Sequence, residues 1–310
     1  MTRIDPAQAP FSMPRPCPAP ANPTPANPAP TKKTKKTLHR QSLKLARSGA
    51  LSNQHGAWAM VFGPALSAVI IFGVSILSVW VLLEWVIAYC CLFSWAGWAA
   101  SGFKKRFRTS ALAYAGILVA TGVGLVVMRP QLFAWIPLFC VLCALYLGLA
   151  AAKKTMSLPA QAIATLTAAL IPLVIASLVG MPASAYALAT IWLVQEFGSV
   201  LHVRSMMRPR NRGAYTIASL LWHGIATLAS IVGVAALMTG AVTNLGIDTG
   251  AAPVLWLLPV LTGLLFIKAA ALTTVRSQRK VPVMVVGIIE GFSVTATFVM
   301  CLIIFLSLPA

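Results

Sequence analysis

Beyond residue 50, polar positions in this chain are sparse and bunched, and the stretches between them stay apolar for about 20 residues, enough to cross a bilayer as a helix. The pattern predicts nine such helices, at 57–76, 79–100, 111–128, 132–152, 160–180, 184–204, 214–238, 254–272 and 282–307. Only the stretch from Ser75 to Ser78 divides the first two. Residues 1–30 are the reverse, with ten prolines among Ala, Asn and Thr and too little apolar surface to fold. The expected organisation is a disordered and then basic cytoplasmic tail over 1–50, followed by a membrane domain over 51–310. The fold class this implies is all-α, a polytopic membrane bundle of nine transmembrane helices.

Composition sharpens this picture. Of the 310 residues 59% are hydrophobic and 9% charged, where soluble chains carry about 25% charged residues. The net charge of +19 would suggest nucleic acid in a soluble protein. Here 22 of the 24 Lys and Arg fall in the tail, in Lys104–Arg108, in Lys153–Lys154, between Arg204 and Arg212, and between Arg276 and Lys280. These are alternate connections, so the bias of cytoplasmic loops toward Lys and Arg predicts an N-in, C-out protein of the inner (plasma) membrane. The expected partner is the lipid bilayer, not nucleic acid. The seven basic residues from Lys32 to Arg47 suit either an arm on anionic headgroups or a topology anchor. Six cysteines lie mostly inside apolar runs. Cys140 and Cys143 have redox-motif spacing but no neighbouring charge to activate a thiol, so they are expected to be small buried hydrophobes.

Candidate chemistry comes from the few polar groups inside these helices, because such groups are costly in lipid unless something answers them. Glu196, His223 and Glu290 each lie eight or nine residues from the same face, roughly 12–14 Å deep at 1.5 Å per residue. His202 and Arg204 stand nearer that face. The stretch Asn53-Gln54-His55-Gly56-Ala57-Trp58 brings an amide pair, an imidazole and an indole to the mouth of the first helix. Arg204 and Arg208 are one helical turn apart, the spacing at which two guanidiniums grip one phosphate or carboxylate. Two readings fit the buried groups: a polar cavity open to the cytoplasm, or interhelical glue that holds register. Trp58 likewise suits an interfacial anchor. Glu84 is expected to be structural or wetted at the interface, and Lys268 can either snorkel toward the face or turn to the bundle interior.

Gln54-His55-Gly56-Ala57-Trp58-Ala59-Met60 with Pro64, Lys153-Lys154-Thr155-Met156-Ser157-Leu158, Gly198 to Arg208, Trp222-His223 and Gly287-Ile288-Ile289-Glu290 resemble the YwiC-like membrane proteins. A more distant resemblance is to UbiA-type prenyltransferases, which implies a nine-helix UbiA-like bundle. That family holds Mg2+ and a diphosphate on aspartate-rich motifs. At the corresponding places this chain has Ser101-Gly102-Phe103-Lys104-Lys105 and His202 to Arg212, without one carboxylate. Two Mg2+ ions need hard anionic oxygens, so no metal or other cofactor is expected. What the resemblance leaves is a basic frame able to grip phosphate directly.

Three functions follow from these observations. The first is binding or handling of an anionic lipid or isoprenoid at a cytoplasm-facing cavity, with Asn53, Gln54, His55, Trp58, Glu196, His202, Arg204, Arg208, His223 and Glu290 as ligand-binding candidates. The second is metal-independent prenyl transfer, for which no catalytic residue is assigned. The third is transport, against which stands the lack of inverted repeats or paired broken helices.

Overall fold

The computed structural model describes residues 55–207, 212–239, 252–278 and 281–308, with His55, Arg212, Ala252 and 276–278 described by their backbone alone. These residues are helical, and no strand occurs among them. The helices are α1 (His55–Phe72), α2 (Ile76–Ala100), α3 (Lys105–Met128), α4 (Ile136–Ala151), α5 (Leu158–Ala169), α6 (Ile171–Ala176), α7 (Ala183–Met207), α8 (Arg212–Met238), α9 (Ala252–Leu255), α10 (Leu257–Gln278) and α11 (Val283–Ser307). A 3-10 turn, Pro130–Trp135, leads into α4, and a second, Ser177–Val179, follows α6.

Among the described residues seven helical runs are long and apolar enough to cross a membrane: Ile76–Ala100, Lys105–Met128, Pro130–Ala151, Leu158–Val179, Gly213–Met238, Pro253–Val275 and Val283–Ser307. The other two of the nine expected runs appear as α1, whose apolar part Gly56–Phe72 is shorter, and α7, which carries the polar residues Gln195, Glu196, Ser199, His202 and Arg204. The helical bundle of a multi-pass membrane protein is therefore what the sequence folds into.

Local chemistry explains the boundaries. Ser75 caps α2 and exchanges hydrogen bonds with Ser78, a reciprocal box that separates α1 from α2 at the point where the apolar pattern barely breaks. Ser157 caps α5, and Pro159 sits in its first turn, where a missing N–H costs nothing. The run expected as one helix over 160–180 is in fact two. Pro172 lacks the N–H that would bond Ala168 and its ring crowds that carbonyl, so α5 ends at Ala169 and α6 restarts at Ile171. Pro259 stands in the same relation to the break at Trp256, between α9 and α10.

The core is stitched by tryptophans. Trp192 of α7 is fully buried and donates from Nε1 to Ser67 Oγ of α1 (2.9 Å), and Ser67 donates onward to the Pro64 carbonyl (2.8 Å). The ring fits because position 63 is glycine: a Cβ there would sit 2.5 Å from Trp192 Cη2. Indole N–H groups also tie α2 to α1 (Trp85 to Val61 O, 2.9 Å), α2 to α3 (Trp95 to Ala111 O, 3.0 Å) and α8 to α7 (Trp222 to Val194 O, 3.0 Å). Where lipid tails are as apolar as leucine, packing and such cross-helix bonds hold helices together. Helix α8 packs on α7 and α10, and α11 packs on α1, α7 and α10.

Candidate functional site: a polar cluster between four helices

On α7, Gln195, Ser199 and His202 fall at i, i+4 and i+7, so they share one face of the helix. That face meets α11. Gln195 Nε2 donates to Ser199 Oγ (3.3 Å), and Ser199 Oγ donates to Glu290 Oε2 (2.5 Å). The other carboxylate oxygen, Glu290 Oε1, accepts from Lys268 Nζ of α10 (2.9 Å), which also donates to Ser293 Oγ (3.0 Å). His202 Nε2 stands 3.9 Å from the same Oε1. One carboxylate thus gathers a hydroxyl, an ammonium and an imidazole from two neighbouring helices.

Helix α8 supplies the fourth wall. His223 Nδ1 lies 2.7 Å from the Ser219 carbonyl. A carbonyl only accepts, so Nδ1 carries a proton and Nε2 of the neutral ring is a lone pair. That nitrogen faces α7 at Gly198, where a Cβ would come within 2.9 Å of it. The charges of Lys268 and Glu290 act on both imidazoles, and His223 acts on His202. His202, His223, Lys268 and Glu290 therefore form one electrostatic unit.

Several of its atoms have no hydrogen-bond partner although they are sealed from solvent. They are both ring nitrogens of His202, His223 Nε2, Gln195 Oε1 and Ser219 Oγ. A buried polar atom without a partner forfeits its hydration for nothing in return. Lys268 and Glu290, by contrast, keep 13% and 12% of their side-chain surface exposed, so the cluster has a rim.

The other expected site residues lie elsewhere. Glu196 is fully buried with both carboxylate oxygens unpartnered. It is 100° around α7 from Gln195 and one turn from Trp192. Depth along the helix sets Glu196 level with His223 and Glu290, but it does not share the α7 face that Gln195, Ser199 and His202 form. Arg204 is also buried. Its Nε donates to Gln161 Oε1 of α5 (2.6 Å), Nη1 to Tyr215 Oη of α8 (3.0 Å) and Nη2 to the Met156 carbonyl (2.5 Å), while the guanidinium lies 5.4 Å from the Tyr215 ring centroid. It closes the end of the bundle where α5, α7 and α8 meet. Trp58 is half-buried between Phe62 (5.9 Å) and Tyr89 of α2 (5.2 Å). Asn53, Gln54 and Arg208 lie outside the described residues, as does the side chain of His55.

Lys268 takes the second of its two expected courses. It does not snorkel; it turns inward to the carboxylate. Its helical face is shared with Leu265, three residues earlier, which is buried. Ser199, Gln195, Ser219 and Ser293 went unremarked in the sequence because a hydroxyl or amide in an apolar run carries no signal by itself. Glu84 meets the Thr121 hydroxyl of α3 at 2.5 Å, and glycine at position 122 leaves room for its other oxygen, 3.0 Å from where a Cβ would stand.

No curated protein and no solved structure matches this chain. The polar cluster, carried by α7, α8, α10 and α11, lies entirely beyond the stretch in which a family is recognised. That stretch runs from the entrance of α1 to the last residue of α6: residues 51–176 match the family model described as YwiC-like protein.

Proposed function

We propose that this multi-pass membrane protein receives the headgroup of an anionic lipid or isoprenoid in the cluster of His202, His223, Lys268 and Glu290. The observation that carries the reading is the pairing of one carboxylate with an ammonium, beside two imidazoles of whose four nitrogens only His223 Nδ1 has a hydrogen-bond partner in the protein. An intramembrane Lys and His in such surroundings mark a ligand path more often than a scaffold. An incoming anion would find the free N–H of Lys268 and the N–H of His202. Entry from the basic side, an N-in arrangement in the inner membrane and a UbiA-like course of the helices belong to this proposal. They are supported by the alternation of Lys and Arg along the sequence.

Mass spectrometry of lipids extracted from the purified protein tests the reading. Severalfold enrichment of an anionic lipid or isoprenoid over an unrelated multi-pass protein is expected, and Lys268→Met should abolish it. Identical lipid profiles for the two proteins would end the proposal.

One further observation favours a second reading. Glu290 Oε1 stands between Lys268 Nζ (2.9 Å) and His202 Nε2 (3.9 Å), and intramembrane carboxylates and imidazoles grouped in this way serve in proton relays. Proton flux into proteoliposomes that is present in the wild type and lost in Glu290→Gln would establish it. Equal flux in both would dismiss it.

A further inference from the structure

We infer that the headgroup entering this cluster is an anion that also bears free hydroxyls, of the phosphoglycerol kind. The inference rests on the headgroup-binding reading above and names its ligand class. The unmet groups are of two sorts. Lys268 has three N–H and uses two, and one nitrogen of the neutral His202 ring carries a hydrogen, so these ask for acceptors. His223 Nε2, the other nitrogen of His202 and Gln195 Oε1 are lone pairs, so these ask for donors. Ser219 Oγ can serve either way.

A bare phosphodiester offers acceptors alone. It would satisfy Lys268 and the N–H of His202 and leave three buried lone pairs unanswered. Hydroxyls beside the phosphate supply the missing donors. The tautomer of His223 is the fixed point, because the Ser219 carbonyl holds the proton on Nδ1 and leaves Nε2 able only to accept. His223 and His202 are 2% and 0% exposed and Gln195 is 1% exposed, so these groups are shut off from bulk solvent.

The test uses two lipids of equal charge. Purified protein is equilibrated in mixed micelles of phosphatidylcholine with equal amounts of phosphatidylglycerol and phosphatidylmethanol of identical acyl chains, and retained lipids are counted by native mass spectrometry. The expected result is about tenfold retention of phosphatidylglycerol over phosphatidylmethanol. That preference should vanish in His223→Leu and persist in His223→Gln, which keeps an acceptor. If His223→Leu does not fold, Gln195→Leu should lower the preference in the same direction.

Equal retention of both anionic lipids above phosphatidylcholine overturns the inference and leaves the headgroup reading standing. No preference of either over phosphatidylcholine overturns both. A phosphatidylglycerol preference untouched by His223→Leu and Gln195→Leu also overturns the inference, because the hydroxyls are then read elsewhere.

Discussion

Two cations are drawn into this bundle, and they are answered in opposite ways. Arg204, at the end where α5, α7 and α8 meet, is held by an amide oxygen, a phenol, a carbonyl and the face of an aromatic ring, with no carboxylate among its hydrogen-bond partners. Lys268, between α10 and α11, is held by the carboxylate of Glu290. A guanidinium spreads its charge over a plane with five donors, is weakly hydrated and stacks on rings, so several dipoles can hold it. An ammonium concentrates the same charge on one atom and needs an anion close by. The first arrangement is closed and structural; the second leaves an acid, a base and two imidazoles adjustable. The proposed headgroup site accordingly lies at Lys268 and not at the basic end.

The contrast can be broken most sharply at Glu290. Glu290→Leu strands the Lys268 ammonium inside the bundle and is expected to destabilise by about 3–5 kcal/mol, whereas the double variant Glu290→Leu/Lys268→Met removes both charges and should recover most of that loss. Thermal melting in detergent reads both. If the double variant melts no higher than the single one, the two side chains do not act as a pair.

At the other cation the informative change keeps the charge. Arg204→Lys cannot reach Gln161, Tyr215 and Met156 together and should cost about 2–3 kcal/mol, through partners left unsatisfied. An unchanged melting temperature would mean that charge alone matters there.

Between these regions, Gly198→Ala pushes a methyl to 2.9 Å from His223 Nε2 and 3.1 Å from Trp222 Cδ1. It should cost about 1–3 kcal/mol and weaken retention of anionic lipid, since the ring can move only into the cluster. The smallest effect belongs to Thr121→Val, which removes the hydroxyl from Glu84. About 0.5–1.5 kcal/mol is expected, with lipid retention unchanged. A change in retention would bring Glu84, now set apart as structural, into the functional argument.

Length and apolarity made most of the bundle legible in the sequence, because a bilayer asks each crossing segment for much the same thing. The break after Ala169 has a sequence signal in Pro172, set in the continuous apolar run Ala168–Ala176, whose apolarity reads as one uninterrupted helix. Depth along a helix could be counted at 1.5 Å per residue, and it grouped Glu196 with His223 and Glu290. At 100° per residue, Gln195, Ser199 and His202 form a face that Glu196 does not share, and a helical wheel of α7 alone would have separated them. Trp192 illustrates a different limit. Its partner Ser67 and its notch at Gly63 lie more than a hundred residues away, and nothing local announces that a glycine exists to admit a ring.

The hydroxyl of Ser199 has a single hydrogen, and it points at Glu290. That hydrogen commits the only donor of the hydroxyl to α11, and its lone pairs are what the Gln195 amide meets. The position of a single hydrogen thus sets the sense of both bonds, from the amide on α7 to the carboxylate on α11.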